Sequence, residues 1–129
     1  MAQTIKFELV SPERVLLSED VEHVVLPGSE GDLGVLAGHS PAVVTLRPGM
    51  ISVISPGGTR KMFVKGGFAE INPETLTVLA ERAFDPSKSD KATVTQELAR
   101  AEKELAEAKN DDDRFVAQSA IDALRSIAA

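Results

Sequence analysis

Short runs in which apolar and polar residues alternate fill the first two thirds of the chain. In TIKFELV, for example, Ile5, Phe7 and Leu9 fall on one face of an extended strand. Similar runs, rich in β-branched residues and bounded by Gly, Pro, Asn or Ser, are VEHVVLP, PAVVTLRPG, MISVISPGG, RKMFVKGG and ETLTVLAE. Strands this short and closely spaced, with no helix-length gaps between them, predict an antiparallel β-sandwich or flattened barrel.

A helical pattern begins after FDPSKSD, residues 84–90. All nine Gly and all seven Pro lie before residue 87, and both residue types are poor in helix interiors. Apolar residues then recur every three or four positions in two stripes: Val94, Leu98, Ala101, Leu105 and Ala108, and Ala117, Ala120, Ile121, Leu124 and Ile127. We therefore predict a β domain over residues 1–86 and a two-helix hairpin over residues 87–129.

The ends and the packing of this hairpin also follow from its sequence. The acidic run NDDD at residues 110–113 predicts the turn between the helices and the cap of the second one. Ser89, or Thr93 with Gln96 three residues on, is predicted to cap the first helix. Because the stripes are rich in alanine, and burial contributes only about 25 cal/mol per Å², we expect the hairpin to be weakly held. Docked and extended hairpins both fit this pattern.

The composition removes several classes of function. The chain has no Cys, which excludes disulfides, thiolate zinc sites and a cysteine nucleophile. Its net charge of −6 disfavours the basic surfaces that bind nucleic acids or anionic lipids. No apolar run approaches the roughly 20 residues that span a bilayer, and the N-terminus lacks the pattern of a signal peptide. We expect a soluble protein.

The stretch GSEGDLGVLAGHSP, residues 28–41, contains the densest group of candidate site residues. A P-loop would need Lys and then Ser or Thr after its last Gly, and a dinucleotide site would need G-x-G-x-x-G. Neither pattern is present, and Glu30 and Asp32 would repel a phosphate. We predict a looping connection whose glycines permit positive φ angles. A β module that binds phosphate or a small molecule through this stretch is the alternative.

The two histidines raise the question of catalysis. GHSPA is similar to a nucleophile elbow, but Ala42 stands where G-x-S-x-G requires Gly. His23 falls in a strand-like run, and the sequence lacks the spacing of histidines and carboxylates that binds zinc. We therefore predict no catalytic residue, no metal and no cofactor. A hydrolase that uses His39 and Ser40 is a further alternative.

Several motifs occur together in one order: FELVSPERVLL, LPGSEGDLGVLAGHSP, LRPGMI, VKGGFAEI and TLTVLAERA. In this combination they resemble the epsilon subunit of F-type ATP synthases, called delta in mitochondria. The resemblance covers about the first 84 residues, and the tail is similar in character rather than in motif. It implies a β-sandwich of about ten strands followed by a helical hairpin. It also implies a non-catalytic subunit of the central stalk, part of the rotor of a proton-translocating ATP synthase, which couples rotation to ATP synthesis.

The resemblance further implies partners and a location. The sandwich would bind the gamma subunit and the c-ring, with transient contact to the alpha/beta head and none to nucleic acid. The protein would lie on the cytoplasmic face of the bacterial inner membrane, as a peripheral protein held there only through the complex. The end that faces the c-ring would carry Ser29, Glu30, Gly31, Asp32 and His39. The family commonly has Glu where Asp32 stands, so the charge persists with a shorter reach.

A regulatory tail is also implied by the resemblance. In the family the tail folds beside the sandwich or extends along gamma and blocks rotation in the hydrolysis direction. Some members bind ATP through an IDxxRA-like motif at the start of the first helix, which FDPSKSDKATV lacks, and IDALRS at residues 121–126 falls in the second helix. The candidate regulatory residues are Arg114, Asp122 and Arg125. Because basic residues are few in this helix, we expect weak inhibition of hydrolysis and no bound ATP.

Overall fold

Eight strands and then two helices make up the computed structural model, which describes residues 3–88 and 91–128. The strands are β1 Ile5–Val10, β2 Val15–Val21, β3 His23–Gly28, β4 Gly31–Leu36, β5 Ala42–Thr45, β6 Gly49–Ser55, β7 Gly58–Ile71 and β8 Thr75–Phe84. The helices are α1 Lys91–Glu107 and α2 Asp111–Ala128. The predicted fold class, a β-sandwich followed by a helical hairpin, is confirmed.

Two long strands, β7 and β8, belong to both layers of the sandwich. The first half of β7 pairs with β6 and its second half pairs with β5. β8 pairs along β7, and its first half also pairs with β1. One layer therefore runs β2–β1–β8–β7–β5 and the other runs β8–β7–β6–β3–β4. All of these pairs are antiparallel except β1 with β8, which is parallel and departs from the prediction.

The corner between the layers lies at Gly66 and Gly67 of β7, whose φ angles are 70° and 105°. At Gly67 a Cβ would lie 2.0 Å from the carbonyl oxygen of Leu79 in β8, so only glycine allows this approach. Counting each long strand once in each layer gives five segments per layer. This double use explains why eight strands are found where about ten were expected.

The apolar core lies between the two layers. Ile5, Phe7 and Leu9 of β1 are fully buried there, as their alternation predicted. On β7, Met62 and Val64 point into this core. The intervening Phe63 is also fully buried, but it points outwards from the sandwich.

The helical hairpin covers Phe63 on the outer face of the second layer. Phe63 packs with buried residues of both helices, which are Ala101, Ala120, Ile121 and Leu124. The Phe84 ring lies 5.1 Å from the Phe63 ring, centroid to centroid, in a tilted arrangement. Most residues of the predicted stripes therefore form the packing face, whereas Ala108 lies beyond the end of α1. The hairpin is docked.

Ion pairs also connect α1 to the sheet. Lys65 Nζ lies 2.5 Å from Glu104 Oε1, and the Lys65 side chain is only 14% exposed. Arg82 Nη2 lies 3.5 Å from Glu97 Oε1. The sheet supplies the cation and the helix supplies the acid in both pairs, so charge complementarity adds to the alanine-rich packing.

The two predicted helix caps have different outcomes. Asn110 precedes α2, and its Oδ1 accepts a hydrogen bond from the Asp113 backbone N–H at 2.7 Å, so the predicted turn and cap are confirmed. Thr93 lies inside α1, which begins at Lys91, so the capping box predicted there is wrong. The alternative cap, Ser89, lies outside the described residues.

Candidate functional site

The stretch predicted as a loop is a β-hairpin. β4, Gly31–Leu36, pairs with β3, and only Ser29 and Glu30 are left between the strands. Leu33 packs against the core and Val35 is fully buried in it. The prediction of a looping connection was therefore wrong for β4 and correct for the two turn residues.

This turn, residues 28–32, is fixed to the neighbouring β5–β6 connection. The Ser29 N–H donates to the Thr45 carbonyl at 2.9 Å, and the Arg47 N–H donates to the Pro27 carbonyl at 2.9 Å. Gly28 is buried, and a Cβ there would lie 2.6 Å from the Gly31 carbonyl oxygen. The backbone at Gly28 can approach the Gly31 carbonyl this closely only because glycine has no side chain.

The two carboxylates of the turn, those of Asp32 and Glu30, differ in their partners. Arg47 donates from Nη1 to the Gly28 carbonyl and from Nη2 to Asp32 Oδ1, both at 2.6 Å. Glu30 is exposed at the tip, and its carboxylate has no hydrogen bond or ion pair within the described part of the chain. The sequence interpretation did not include Arg47, although the residue stands in the quoted motif LRPGMI.

A phosphate-binding site is disfavoured by this arrangement. The hollow beside the turn is lined by Gly28–Leu33 and Val43–Thr45, which contribute two carboxylates and no cation. The nearby Arg47 already bonds to Asp32 and to the backbone. A phosphate would therefore meet negative charge, and the alternative of a phosphate-binding module loses its support.

His39 lies apart from the turn, beyond the far end of β4. Six residues, 33–38, separate Asp32 from His39, and β4 alone spans about 17 Å at about 3.4 Å per residue. His39 Nδ1 lies 2.7 Å from the carbonyl oxygen of Ser40, and the adjacent Gly38 N–H donates to the Pro73 carbonyl. The structure therefore brings Ser29, Glu30, Gly31 and Asp32 together but places His39 at the opposite end of the strand.

Neither histidine is placed for catalysis. The His39 ring nitrogen meets a main-chain carbonyl rather than the Ser40 hydroxyl, which leaves the proposed nucleophile without its base. The His23 ring covers Gly34, where a Cβ would lie 2.9 Å from its Nε2, so His23 packs against the hairpin. Within residues 3–88 and 91–128 no three His, Asp or Glu side chains form a group suited to a metal ion.

The candidate regulatory residues all lie on the exposed face of α2. Arg114 Nη2 lies 2.5 Å from Asp111 Oδ1 in the first turn of the helix. Asp122 accepts a hydrogen bond from Gln118 at 2.9 Å, and Arg125 is exposed in the last turn. Ile121, which begins IDALRS, is buried under the hairpin. The three residues are spread along the helix and do not form one cluster.

Neither α1 nor α2, as far as the chain is described, is long and apolar enough to cross a membrane. The described residues form a polar turn at residues 28–32, a sheet face with exposed apolar side chains and a docked helical hairpin. The fold is that of a β-sandwich protein with a helical hairpin packed on one outer face.

Comparison with known proteins identifies the family. The family described as "ATP synthase, Delta/Epsilon chain, beta-sandwich domain" matches residues 4–86, which contain every strand. The chain belongs to this ATP synthase delta/epsilon family. This membership confirms the resemblance to the epsilon subunit that the motifs indicated. It also confirms the prediction of a non-catalytic subunit.

Curated relatives extend the similarity to the whole chain. The "ATP synthase epsilon chain" of Parvibaculum lavamentivorans is 49% identical over 128 residues, which cover 98% of this chain and 97% of the relative. The protein of the same name from Rhodospirillum rubrum is 46% identical over 121 residues, covering 93% and 90%. The similarity therefore includes the helical hairpin.

Two solved structures share the fold. A chain in the Euglena gracilis mitochondrial ATP synthase, solved with OSCP, F1 and c-ring, has a TM-score of 0.71 at 24% identity, covering 97% of this chain and 79% of that one. A chain in the central stalk and c-ring of the Tetrahymena thermophila mitochondrial ATP synthase has a TM-score of 0.65 at 13% identity, covering 98% of both. At these identities the likeness establishes the fold alone.

Proposed function

We propose that this protein is a rotor subunit in the central stalk of a proton-translocating F-type ATP synthase, where it links gamma to the c-ring. The observation that carries the proposal is its 49% identity to an ATP synthase epsilon chain over nearly the full length of both proteins. The subunit couples rotation to ATP synthesis mechanically, through shape and polar contacts. It lies on the cytoplasmic face of the bacterial inner membrane, held there through the complex.

We propose the turn at residues 28–32 as the contact with the c-ring. It is exposed and polar at Ser29, Glu30 and Asp32, and its backbone is tied to the β5–β6 connection. These hydrogen bonds and the two from Arg47 restrain the turn, which suits a contact that transmits torque. His39 lies beyond the far end of β4, a strand about 17 Å long, and we propose it as a separate contact on the same partner.

The outer face of the first layer is the proposed gamma-binding surface. Val43 of β5, Phe68 of β7 and Leu79 of β8 are large apolar residues exposed on this face. They lie on adjacent strands, since Phe68 pairs with Leu79 on one side and with Thr45 on the other. An exposed apolar patch of this kind is typical of a surface that binds another protein.

The hairpin is the proposed regulatory part of the protein. We divide the chain into a docking domain, residues 1–86, and a regulatory domain, residues 87–129, which reaches the alpha/beta head only transiently. Arg114 is already paired with Asp111 within α2, so few cations of this helix are available to an acidic partner. The hairpin therefore inhibits ATP hydrolysis weakly.

The double substitution Glu30→Ala with Asp32→Ala tests the c-ring contact. We expect ATP-driven proton pumping by the assembled enzyme to fall severalfold relative to ATP hydrolysis, because the contact loses both carboxylates. The isolated subunit should lose under about 1 kcal/mol of stability, since an exposed ion pair such as Asp32–Arg47 contributes little. Pumping is measured in inverted vesicles, and stability by thermal unfolding.

A matched control is the pair Glu102→Ala with Glu107→Ala, two exposed acids on α1. This variant should pump normally while the enzyme assembles in normal amounts. If the Glu30 and Asp32 variant instead pumps normally but unfolds at a much lower temperature, the turn is a structural element only.

A further inference from the structure

Arg47 bonds to the chain on both sides of the contact turn. Its backbone N–H donates to Pro27, and its guanidinium donates to the Gly28 carbonyl and to the Asp32 carboxylate. Gly28 stands before Ser29 and Glu30, and Asp32 stands after them. One side chain thus holds the two ends of the turn at distances of 2.6 Å each.

The neighbours of Arg47 fix where its side chain begins. Leu46 is buried in the core and Pro48 is buried directly after Arg47. Gly49 approaches Pro27 so closely that a Cβ would lie 2.9 Å from the Cβ of Pro27. Because the backbone is held on both sides, the guanidinium is aimed at the turn by the sandwich itself. The planar fork of Arg can serve two acceptors together, whereas Lys presents a single ammonium.

The same contact distinguishes the two carboxylates. Asp32 is 65% exposed, yet its charge is compensated by Arg47, whose side chain is 27% exposed. A charge-assisted hydrogen bond of this kind is stronger than a neutral one. Glu30 is exposed and has no such partner among the residues described. The net negative charge of the turn therefore lies at its tip.

We propose that Arg47 is a positioning residue for the c-ring contact: it fixes the turn and neutralises Asp32, so that Glu30 supplies the carboxylate for recognition. Glu30 then accepts a hydrogen bond from a cationic or N–H-donating group of the partner. This inference rests on the proposed docking function and extends it to one residue that sequence interpretation did not include.

Binding of the full-length chain to the detergent-solubilised c-ring of the same enzyme tests the assignment of the carboxylates. Glu30→Gln should weaken binding about tenfold, the effect of losing one hydrogen bond to a charged group. Asp32→Asn should weaken it by less than about threefold, because the Asp32 charge is already screened by Arg47. Glu102→Gln, an exposed acid on α1, should leave binding unchanged. An Asp32→Asn effect as large as that of Glu30→Gln overturns the proposal.

Two substitutions of Arg47 separate its charge from its geometry. Arg47→Gln removes the fork that holds Gly28 and Asp32, so the turn is less ordered and binding should weaken at physiological salt. It also leaves the Asp32 charge uncompensated, so the dependence of binding on salt should steepen. It should also raise the amide hydrogen-exchange rates of Ser29 and Gly31, followed by NMR. Arg47→Lys restores the charge without the fork, so it should return the salt dependence to that of the wild type while exchange stays raised. Unchanged exchange and salt dependence in Arg47→Gln contradict the proposal.

If the turn does not dock on the c-ring at all, the binding and exchange experiments give a different combination of results. If the wild-type chain does not bind the ring at any salt concentration, docking through this turn is excluded. Exchange at Ser29 and Gly31 still shows in that case whether Arg47 orders the turn. If exchange is also unchanged in Arg47→Gln, both the contact and the positioning role are wrong.

Discussion

Replacing Gly67 with Ala is expected to destabilise the sandwich by about 3 kcal/mol or more. A residue with a Cβ pays about 1–2 kcal/mol in the left-handed region, and Gly67 has a φ of 105°. The new Cβ would also lie 2.0 Å from the Leu79 carbonyl oxygen and 2.9 Å from the Ala80 Cα. These are main-chain atoms of the paired strand, so no side chain can rotate away, and overpacking adds about 1–3 kcal/mol.

Thermal unfolding of the full chain measures this effect. We expect the Tm of Gly67→Ala to fall by roughly 10 °C or more. The control is Gly57→Ala in the β6–β7 turn, where a Cβ meets nothing within 4 Å and the Tm should scarcely move. Equal Tm values for the two variants would show that the corner of β7 does not depend on glycine.

The substitution Phe63→Ala is expected to release the hairpin from the sheet while the sandwich stays folded. Phe63 is fully buried between the second layer and both helices, and Phe→Ala at a buried site costs about 3–5 kcal/mol. The substitution also removes the contact between the Phe63 and Phe84 rings, whose centroids lie 5.1 Å apart. Ile121, Leu124 and the alanines of this cluster remain, but they then face a cavity, and we expect them to hold the helices too weakly.

Amide hydrogen exchange distinguishes release of the hairpin from global unfolding. In Phe63→Ala, α1 and α2 should lose protection while β1 and β8 keep theirs. Phe115→Ala is the control, because this phenylalanine of α2 is 48% exposed and its loss should leave protection unchanged. Loss of protection in helices and strands together would mean that the hairpin and the sandwich unfold as one unit.

The released hairpin also tests the proposal of weak inhibition. Both Phe63→Ala and deletion of residues 88–129 should leave ATP hydrolysis by the assembled enzyme nearly unchanged. A large rise in hydrolysis on deletion would mean that the tail is a strong inhibitor.

The alternation of apolar residues and their helical spacing correctly predicted which faces of individual strands and helices are buried. The alternation of Ile5, Phe7 and Leu9 gave a buried strand face because side chains alternate along any strand. The stripes of α1 and α2 predicted their packing faces because residues three or four positions apart lie on the same face of a helix. Pro56 and Gly57, which bound the predicted run MISVISPGG, fall in the turn between β6 and β7.

Contacts distant in sequence account for what was missed. β4 was hidden because Gly31 and Gly34 interrupt the alternation that Leu33 and Val35 carry, and its strand state depends on pairing with β3. The parallel pairing of β1 with β8 joins the first strand to the last. Arg47 reaches Asp32 across 15 positions, a contact that no local pattern contains. The candidate site was therefore located by its motif, while its internal construction required the structure.

The central claim is that the turn at residues 28–32 meets the c-ring. The chain has no Cys, so Ser29→Cys, at an exposed position of the turn, provides one attachment point in this subunit for a photo-activated crosslinker and leaves Glu30 and Asp32 in place. Glu102→Cys, at an exposed position on α1, is the comparison. Mass spectrometry should find crosslinks from residue 29 to the c subunit and none to it from residue 102. Crosslinks from residue 29 to the alpha or beta subunits, or to no subunit while the enzyme is fully assembled, would contradict the claim.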